Sequence, residues 1–263
     1  MGEATSVYSI NKLPPAEQER IYGALAPRRV LERFNIDPHT FTDSRGRKLL
    51  ELHASSGSAA VEIYLRHAYD ARDPLLYFHL ADTRTNRINV LLAVVNDPES
   101  PRFDIDRMPD GSPTNFGVFK RNVAAELAAM RAGLAPGQIK AGLRVLREML
   151  AGFEEFAEER GHDMYYIEPL FYHNAIIFER YGFAYQQGRR WMESIHTRFS
   201  TDSPLFARLD GSTPFRQPSA AQSVRGRSWA IHDGILGEPF TGVHMYKRVG
   251  EHADVETFPE GAW

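Results

Sequence analysis

A carboxylate and an imidazole lie close together in the one stretch of this sequence that indicates a particular chemistry. Glu168 ends the run MYYIE, whose aromatic and aliphatic residues are typical of a buried strand, and His173 follows it closely. Either group, held at the end of a sheet strand, could act as a general base that deprotonates an amine. The alternative is structural: His173 or Asn174 would cap a short helix, and Glu168 would pair with an arginine.

Histidines offer a second kind of chemistry. Four of them fall inside runs that read as strands, namely His53, His79, His232 and His244. If those strands were neighbours, the imidazoles could converge on zinc or iron, and the protein would be a metalloenzyme. Glu193 and His196 also have the E-x-x-H spacing of half a di-iron site, but the other half is not evident. The alternative is that backbone partners satisfy each histidine, and no metal ligand is assigned.

Basic residues cluster near the N-terminus. The run 15–34 predicts two helices separated at Pro27, with Ile21, Leu25 and Leu31 among the apolar positions. Arg28, Arg29 and Arg33 lie off that apolar face. They are either a solvated surface or a basic edge that contacts an acidic ligand.

The elements that must position these residues follow from hydrophobic periodicity. A period of two predicts an antiparallel meander of four strands over 49–55, 60–67, 75–82 and 88–97. The fourth is apolar almost throughout, so we expect both of its faces to be covered. Beyond it the pattern predicts helices over 122–135, 138–160, 173–181 and 191–200, and strands over 164–168, 183–187, 228–233 and 242–248.

These elements predict an α/β fold with a mixed, mostly antiparallel sheet flanked by helices. We expect an N-terminal helical segment (1–47), a core (48–199) with an insertion after the fourth strand (98–137), and a C-terminal extension (200–263) that adds strands to the same domain.

Composition narrows the function classes. The chain has 263 residues, of which 43% are hydrophobic and 25% charged, and its net charge of −3 favours neither nucleic acid nor an anionic membrane. It has no cysteine, which excludes disulfides, thiolate catalysis and zinc ribbons. No signal-peptide run or apolar stretch of membrane-spanning length is present. We therefore expect a cytoplasmic protein that binds neither nucleic acid nor membranes.

One run carries a family resemblance. Ala175-Ile-Ile-Phe-Glu-Arg-Tyr-Gly-Phe183 resembles the short helix and Gly-Phe turn of the GCN5-related N-acetyltransferase (GNAT) superfamily, whose typical pattern is A-I-x-F-Y-E-K-x-G-F. The order of strands and helices over 48–190 is similar to that family's as well. Strand 165–169 matches the strand that splays away from its neighbour there.

The resemblance implies a V-shaped opening that holds acetyl-CoA or another acyl-CoA. Its pantetheine would run along the fourth strand, and its pyrophosphate would bind N–H groups at the start of the long helix. The implied cofactor-binding residues are Val94, Val95, Gln138, Ile139, Lys140, Ala141, Gly142, Leu143 and Asn174. Glu168 or His173 would be the base, and amides of the fourth strand would polarise the thioester carbonyl.

The sequence departs from the family pattern at two positions that would carry its chemistry, and the insertion 98–137 separates the fourth strand from the phosphate loop, which follows that strand directly in the family. The family's phosphate loop reads Q/R-x-x-G-x-G/A, and here Ala141 and Leu143 stand at the two small-residue positions after Gln138. Phe178 stands where a tyrosine usually protonates the leaving thiolate.

Two interpretations of the GNAT-like chain therefore stay open. It is an acyl-CoA-dependent N-acyltransferase that acts on a small-molecule amine, or a GNAT-fold module that has lost CoA chemistry. Such a module would bind another ligand, for example an acyl compound, or a second copy of the chain as a homodimer.

Overall fold

The computed structural model describes residues 5–114 and 120–263, and most of the predicted elements are present in order. The helices are α1 (Val7–Ile10), α2 (Pro15–Gly23), α3 (Arg28–Arg33), α4 (Val123–Arg131), α5 (Leu146–Glu158), α6 (Tyr172–Arg180), α7 (Arg189–Arg198) and α8 (Val224–His232). The strands are β1 (Leu50–His53), β2 (Ala60–Leu65), β3 (Leu76–Asp82), β4 (Ile88–Val95), β5 (Met164–Ile167), β6 (Ala184–Gln187) and β7 (His244–Arg248). Within the described ranges, every helix is too short or too polar to cross a bilayer.

The predicted fold class is confirmed: the chain is α/β with one open, mostly antiparallel sheet. The strand order is β1-β2-β3-β4-β5-β7-β6. Strands β1 to β4 form the predicted antiparallel meander, whereas β4 and β5 are parallel. A parallel pair needs a long crossover connection, and the segment between β4 and β5, with helices α4 and α5, supplies it.

The chain forms two compact units. The first comprises residues 1–99, 142–168 and 246–251, and the second comprises 100–141, 169–245 and 252–263. The predicted division into 1–47, 48–199 and 200–263 stays a prediction.

The core of the first unit lies between one face of the sheet and helix α5. Alternate residues of β2 and β3 are buried, and the Phe78 ring packs edge-on against Phe153 with centroids 5.2 Å apart. Phe153 in turn stacks on Tyr165 at 6.1 Å. Asp82 fixes α1 at the end of β3, because its carboxylate accepts the N–H groups of Val7 and Tyr8 (2.8 Å each).

The core of the second unit forms around Trp229. Its indole N–H donates to Leu134 O (2.8 Å), and its ring stacks on Phe215 at 5.2 Å. Ile105 and Ala129 complete the buried cluster, and Ile139 packs against it from the side. Helix α8 therefore packs where the sequence predicted a strand over 228–233.

The prediction of a strand over 228–233 is wrong, because a helix cap at Ser223 and the burial of consecutive apolar side chains favour a helix here. The Ser223 side chain accepts the Gly226 N–H (3.0 Å) and starts α8. The run SWAIHD buries Trp229, Ala230 and Ile231 in succession, which imitates a buried strand in the sequence.

Two further expectations are corrected. The helix predicted over 138–160 begins only at Leu146, after a loop in which Gly137 and Arg144 adopt left-handed conformations (φ 82° and 57°). The second half of β4 is not covered on both faces: Ala93 is exposed, and its neighbours are half-buried. Both corrections concern the region where chemistry is expected.

Candidate functional site

Strand β4 changes its pairing on both sides at the same place. On the β3 side, His79 pairs with Leu92 and Leu80 with Val90, so that Leu91 is an extra, bulged residue. On the β5 side, the register ends at Val90 and Ile167, followed by a bond of 3.4 Å from the Glu168 N–H to Val90 O. In the described residues no strand pairs with the β5-side edge of β4 beyond that point. A bulge of this kind re-aims the backbone and ends pairing, and such bulges are frequent beside active sites.

Glu168 lies where β4 and β5 separate. Its side chain is half-buried, and Asn89 of β4 donates its Nδ2–H to Oε1 (3.0 Å). The cross-strand neighbour of Asn89 is Tyr166, two residues before Glu168, so all three side chains project from one face of the sheet. The carboxylate is therefore fixed at the point where the strands diverge.

His173 has a different environment in the second unit. It is only 3% exposed, its Nδ1 is hydrogen-bonded to Ser228 Oγ (2.9 Å), and its ring stacks on Phe171 at 5.7 Å. Burial, with a smaller effect from His232, lowers the pKa of His173 to about 3. The imidazole is neutral at physiological pH, and its contacts are those of a packing residue.

The capping alternative is wrong for this helix. Helix α6 begins at Tyr172, with Phe171 at the N-cap position and no capping side chain. Asn174 is half-buried in the first turn, where its N–H donates to Phe171 O (3.0 Å). Glu168 belongs to the first unit and His173 to the second.

The buried His173 should make the protein sensitive to acid. Because its pKa lies below the ordinary value of 6.5, the unfolded chain takes up this proton first as the pH falls. The stabilising contribution of the neutral ring is complete above pH 6.5 and is lost between 6.5 and about 3. From pH 7 to 5 we expect a loss of about 2 kcal/mol in unfolding free energy. Urea titrations of wild type, His173→Gln and the exposed control His39→Gln would measure it; an unchanged pH slope in His173→Gln would contradict it.

The predicted phosphate-loop residues are divided between the units. In the second, Gln138 Oε1 accepts the Ala135 N–H (2.7 Å), Lys140 Nζ donates to Ser100 O (3.0 Å) and the Ala141 N–H donates to Ser100 Oγ (3.1 Å). Ile139 packs against the Trp229 cluster. The backbone and side chains of residues 138–141 thus hold this segment as a loop, and no helix begins there.

Gly142 and Leu143 lie in the first unit, directly before α5. A Cβ on Gly142 would lie 3.5 Å from Val95 O, so this loop passes beside the end of β4. No side chain caps α5, and the first N–H bonded inside the helix is that of Met149, which donates to Val145 O (2.9 Å). The N–H groups of residues 146–148 therefore lack helical partners and carry the positive end of the helix dipole.

Arginines surround this helix start. A cavity of about 420 Å³ is lined by Arg29, Val30, Arg33, Leu143, Arg144 and Val145. Arg29 Nε lies 3.5 Å from Glu148 Oε2, and Arg33 Nη2 lies 2.5 Å from Glu99 Oε2. The side chains of both pairs are largely exposed. Exposed pairs of this kind contribute about 0–1 kcal/mol each, so a phosphate could exchange for them. Of the three arginines of the predicted basic edge, Arg29 and Arg33 line this cavity and Arg28 does not.

The position expected to supply an acid is apolar. Phe178 is half-buried and packs against Phe183 with ring centroids 5.1 Å apart. Its neighbour Glu179 is buried, accepts hydrogen bonds from Tyr185 and Thr257, and has a pKa raised by burial. Burial also raises the pKa of Tyr172 to about 12. Neither Tyr172 nor Tyr185 is therefore poised to donate a proton to a leaving thiolate.

In the part of the chain that the structure describes, the histidines are not grouped into a metal centre. His53 and His79 flank Glu62 across β1, β2 and β3, but His232 lies in helix α8. Glu193 pairs with Arg189, whereas His196 contacts Arg227. Within 5–114 and 120–263, no three His, Cys, Asp or Glu side chains are placed to bind one ion. The metalloenzyme alternative has no site there.

No pattern in the sequence indicates Asn89 or Arg144 as site residues. An asparagine in a strand reads as an outward polar residue, and its contact with Glu168 depends on a parallel register that one sequence does not reveal. Comparison of the chain with family models, with curated proteins and with solved structures gives no significant match.

Proposed function

We propose that this protein is an acyl-CoA-dependent N-acyltransferase of the GNAT type that acts on a small-molecule amine. One observation carries the proposal: β4 bulges at Leu91 and separates from β5 where Glu168 is held. The loop that leads into the uncapped start of α5 passes, at Gly142, beside the other end of the same strand. A candidate base, a strand edge without a partner strand in the described residues, and the loop into an uncapped helix start thus follow one another along β4.

The chain offers each part of an acyl-CoA a chemically matched surface. The open edge of β4 up to Val94 and Val95 can hydrogen-bond an extended pantetheine as a further strand would. The N–H groups at the start of α5 suit the pyrophosphate. Arg29 and Arg33 add cationic side chains that can bind phosphate oxygens in pairs. Arg144, with its left-handed backbone, turns the loop into this helix start.

In the proposed reaction, Glu168 prepares the acceptor. Bound acyl-CoA supplies an activated thioester carbonyl. Glu168 takes one proton from the substrate ammonium, which leaves a neutral amine whose lone pair forms the new C–N bond as the C–S bond breaks. Backbone N–H groups near the Leu91 bulge can stabilise negative charge on the carbonyl oxygen. An alkyl thiol has a pKa of about 8.5, so the thiolate can leave without a tyrosine at Phe178. It takes up, through water, the second proton that the nitrogen loses as the amide forms.

The helix-start arginines give the first test. Arg29→Glu/Arg33→Glu is expected to weaken CoA binding at least tenfold, because two phosphate contacts become repulsive. Arg28→Glu is the matched control: its side chain is 89% exposed, pairs with Glu32 and does not line the cavity. Isothermal titration calorimetry at low and high salt would measure each affinity. No binding of CoA or acetyl-CoA to wild type at millimolar concentration, or an equal loss in Arg28→Glu, would refute the proposal.

A second function is favoured by the apolar environment of Phe178. The chain could bind an acyl-CoA or a related ligand without turning it over. Binding of acetyl-CoA without thiol release, across a broad panel of amines, would support this module and count against the enzyme.

A further inference from the structure

Asn89 offers a second acceptor group beside Glu168. The Asn89 Nδ2–H donates a hydrogen bond to Glu168 Oε1, and the Asn89 Oδ1 is buried with no hydrogen-bond partner in the protein. Flipping the amide would place oxygen against carboxylate, so the bond to Glu168 fixes the orientation. A buried acceptor without a donor is costly, and this one lies beside a carboxylate where β4 and β5 separate.

We propose that Asn89 and Glu168 together bind the ammonium group of an aliphatic amine; this rests on the proposed function. An ammonium has three N–H donors and no acceptor, which matches a carboxylate and an orphaned carbonyl oxygen. An alcohol has one donor and no charge. A carboxylate ligand would be repelled by Glu168 and would bring no donor to Asn89.

Two tyrosines extend the same face of the sheet. Tyr166 is the cross-strand neighbour of Asn89, and its ring lies 6.5 Å from that of Tyr246 at an angle of 58°. The Tyr166 hydroxyl contacts Met164 Sδ (3.6 Å). Tilted aromatic rings beside a carboxylate attract a cation and contact its alkyl chain. Lys247, the next residue after Tyr246, is buried and pairs with Glu154, so it does not compete for the site.

The test uses n-hexylamine at pH 7, with n-hexanol and hexanoate as matched probes, on the intact chain without acyl-CoA. Ligand-observed NMR titration is expected to show binding of hexylamine alone. Asn89→Leu, which has a similar shape and no acceptor, should weaken it at least tenfold. Asn89→Asp keeps the acceptor but sets a carboxylate oxygen against Glu168. A bound ammonium offsets that repulsion, so hexylamine should bind this variant as well as wild type or better. Glu62→Gln should change nothing, since Glu62 lies on the same face two strands from β4 and accepts from Tyr64.

In turnover assays with hexylamine, Asn89→Leu should raise KM at least tenfold, and CoA affinity should be unchanged. Equal hexylamine affinity in wild type and Asn89→Leu, or lost binding in Asn89→Asp, would overturn the inference. If Asn89→Leu does not fold, the Asn89→Asp result and the wild-type preference among the three probes decide. Hexylamine binding without any CoA binding would instead refute the proposed function and leave this site standing.

Discussion

Glu168→Gln is expected to transfer acyl groups about 10²- to 10⁴-fold more slowly than wild type. The substitution keeps the shape of the side chain, and Gln Oε1 can still accept the hydrogen bond from Asn89. It cannot take a proton from the substrate ammonium at pH 7. An alkylamine has a pKa near that of lysine, about 10.4, so only a small fraction reaches the variant already neutral.

The pH profile distinguishes a lost base from a disturbed fold. The rate of Glu168→Gln should rise with pH up to about 10, as the neutral amine becomes abundant, whereas the wild-type rate should level off earlier. Thiol release with acetyl-CoA and hexylamine would measure both profiles, and calorimetry should show unchanged CoA affinity. Glu62→Gln is the control on the same sheet face. More than a third of wild-type activity at pH 7 in Glu168→Gln would show that another group is the base.

The strands of the first unit were predictable because their pattern is local. Residues of β2 and β3 alternate between the core and a half-exposed face, and this period of two is visible in AVEIYL and LYFHLAD. The separation of β4 from β5 was expected only through the family resemblance. The bulge at Leu91 was not predicted, since it depends on how β4 meets β3.

The sequence pattern predicts that α5 begins at residue 138, eight residues too early, and the error has a physical reason. Ile139 and Leu143 continue the apolar spacing of the helix, but Ile139 packs in the second unit and Leu143 lines a cavity in the first. Apolar residues that serve two separate cores can imitate one helical face. The bonds from Lys140 and Ala141 to Ser100, and the left-handed Arg144, hold this segment as a loop.

The largest stability effect should come from a buried network in the second unit. Glu126 is 2% exposed, accepts two hydrogen bonds from Arg121 (2.9 and 2.5 Å) and lies 3.1 Å from His232 Nε2. Arg121 also donates to Asp233 (2.7 Å), which binds Arg216 as well (2.8 Å). Each carboxylate thus has more than one partner, and removing Glu126 leaves the half-buried Arg121 guanidinium with Asp233 alone and His232 Nε2 without its carboxylate.

Glu126→Ala is therefore expected to lower the free energy of unfolding by about 3 to 5 kcal/mol at pH 7. Glu193→Ala, which breaks an exposed pair with Arg189, is the control and should cost less than about 1 kcal/mol. Urea denaturation with matched m-values would measure both. A cost for Glu126→Ala within the range of the control would show that the network contributes little.

The cost of Glu126→Ala should shrink in acid. Burial opposes ionisation of Glu126, but the hydrogen bonds from His232 and Arg121 outweigh burial and hold its pKa below the ordinary 4.5. A carboxyl with a lowered folded pKa stabilises the protein above its unfolded pKa, and this contribution is lost as the pH falls through the folded value. The difference between wild type and Glu126→Ala should therefore be full at pH 7 and smaller below pH 4.5. A difference that stayed constant through this range would show that the cost of Glu126→Ala comes from lost packing and not from the carboxylate charge.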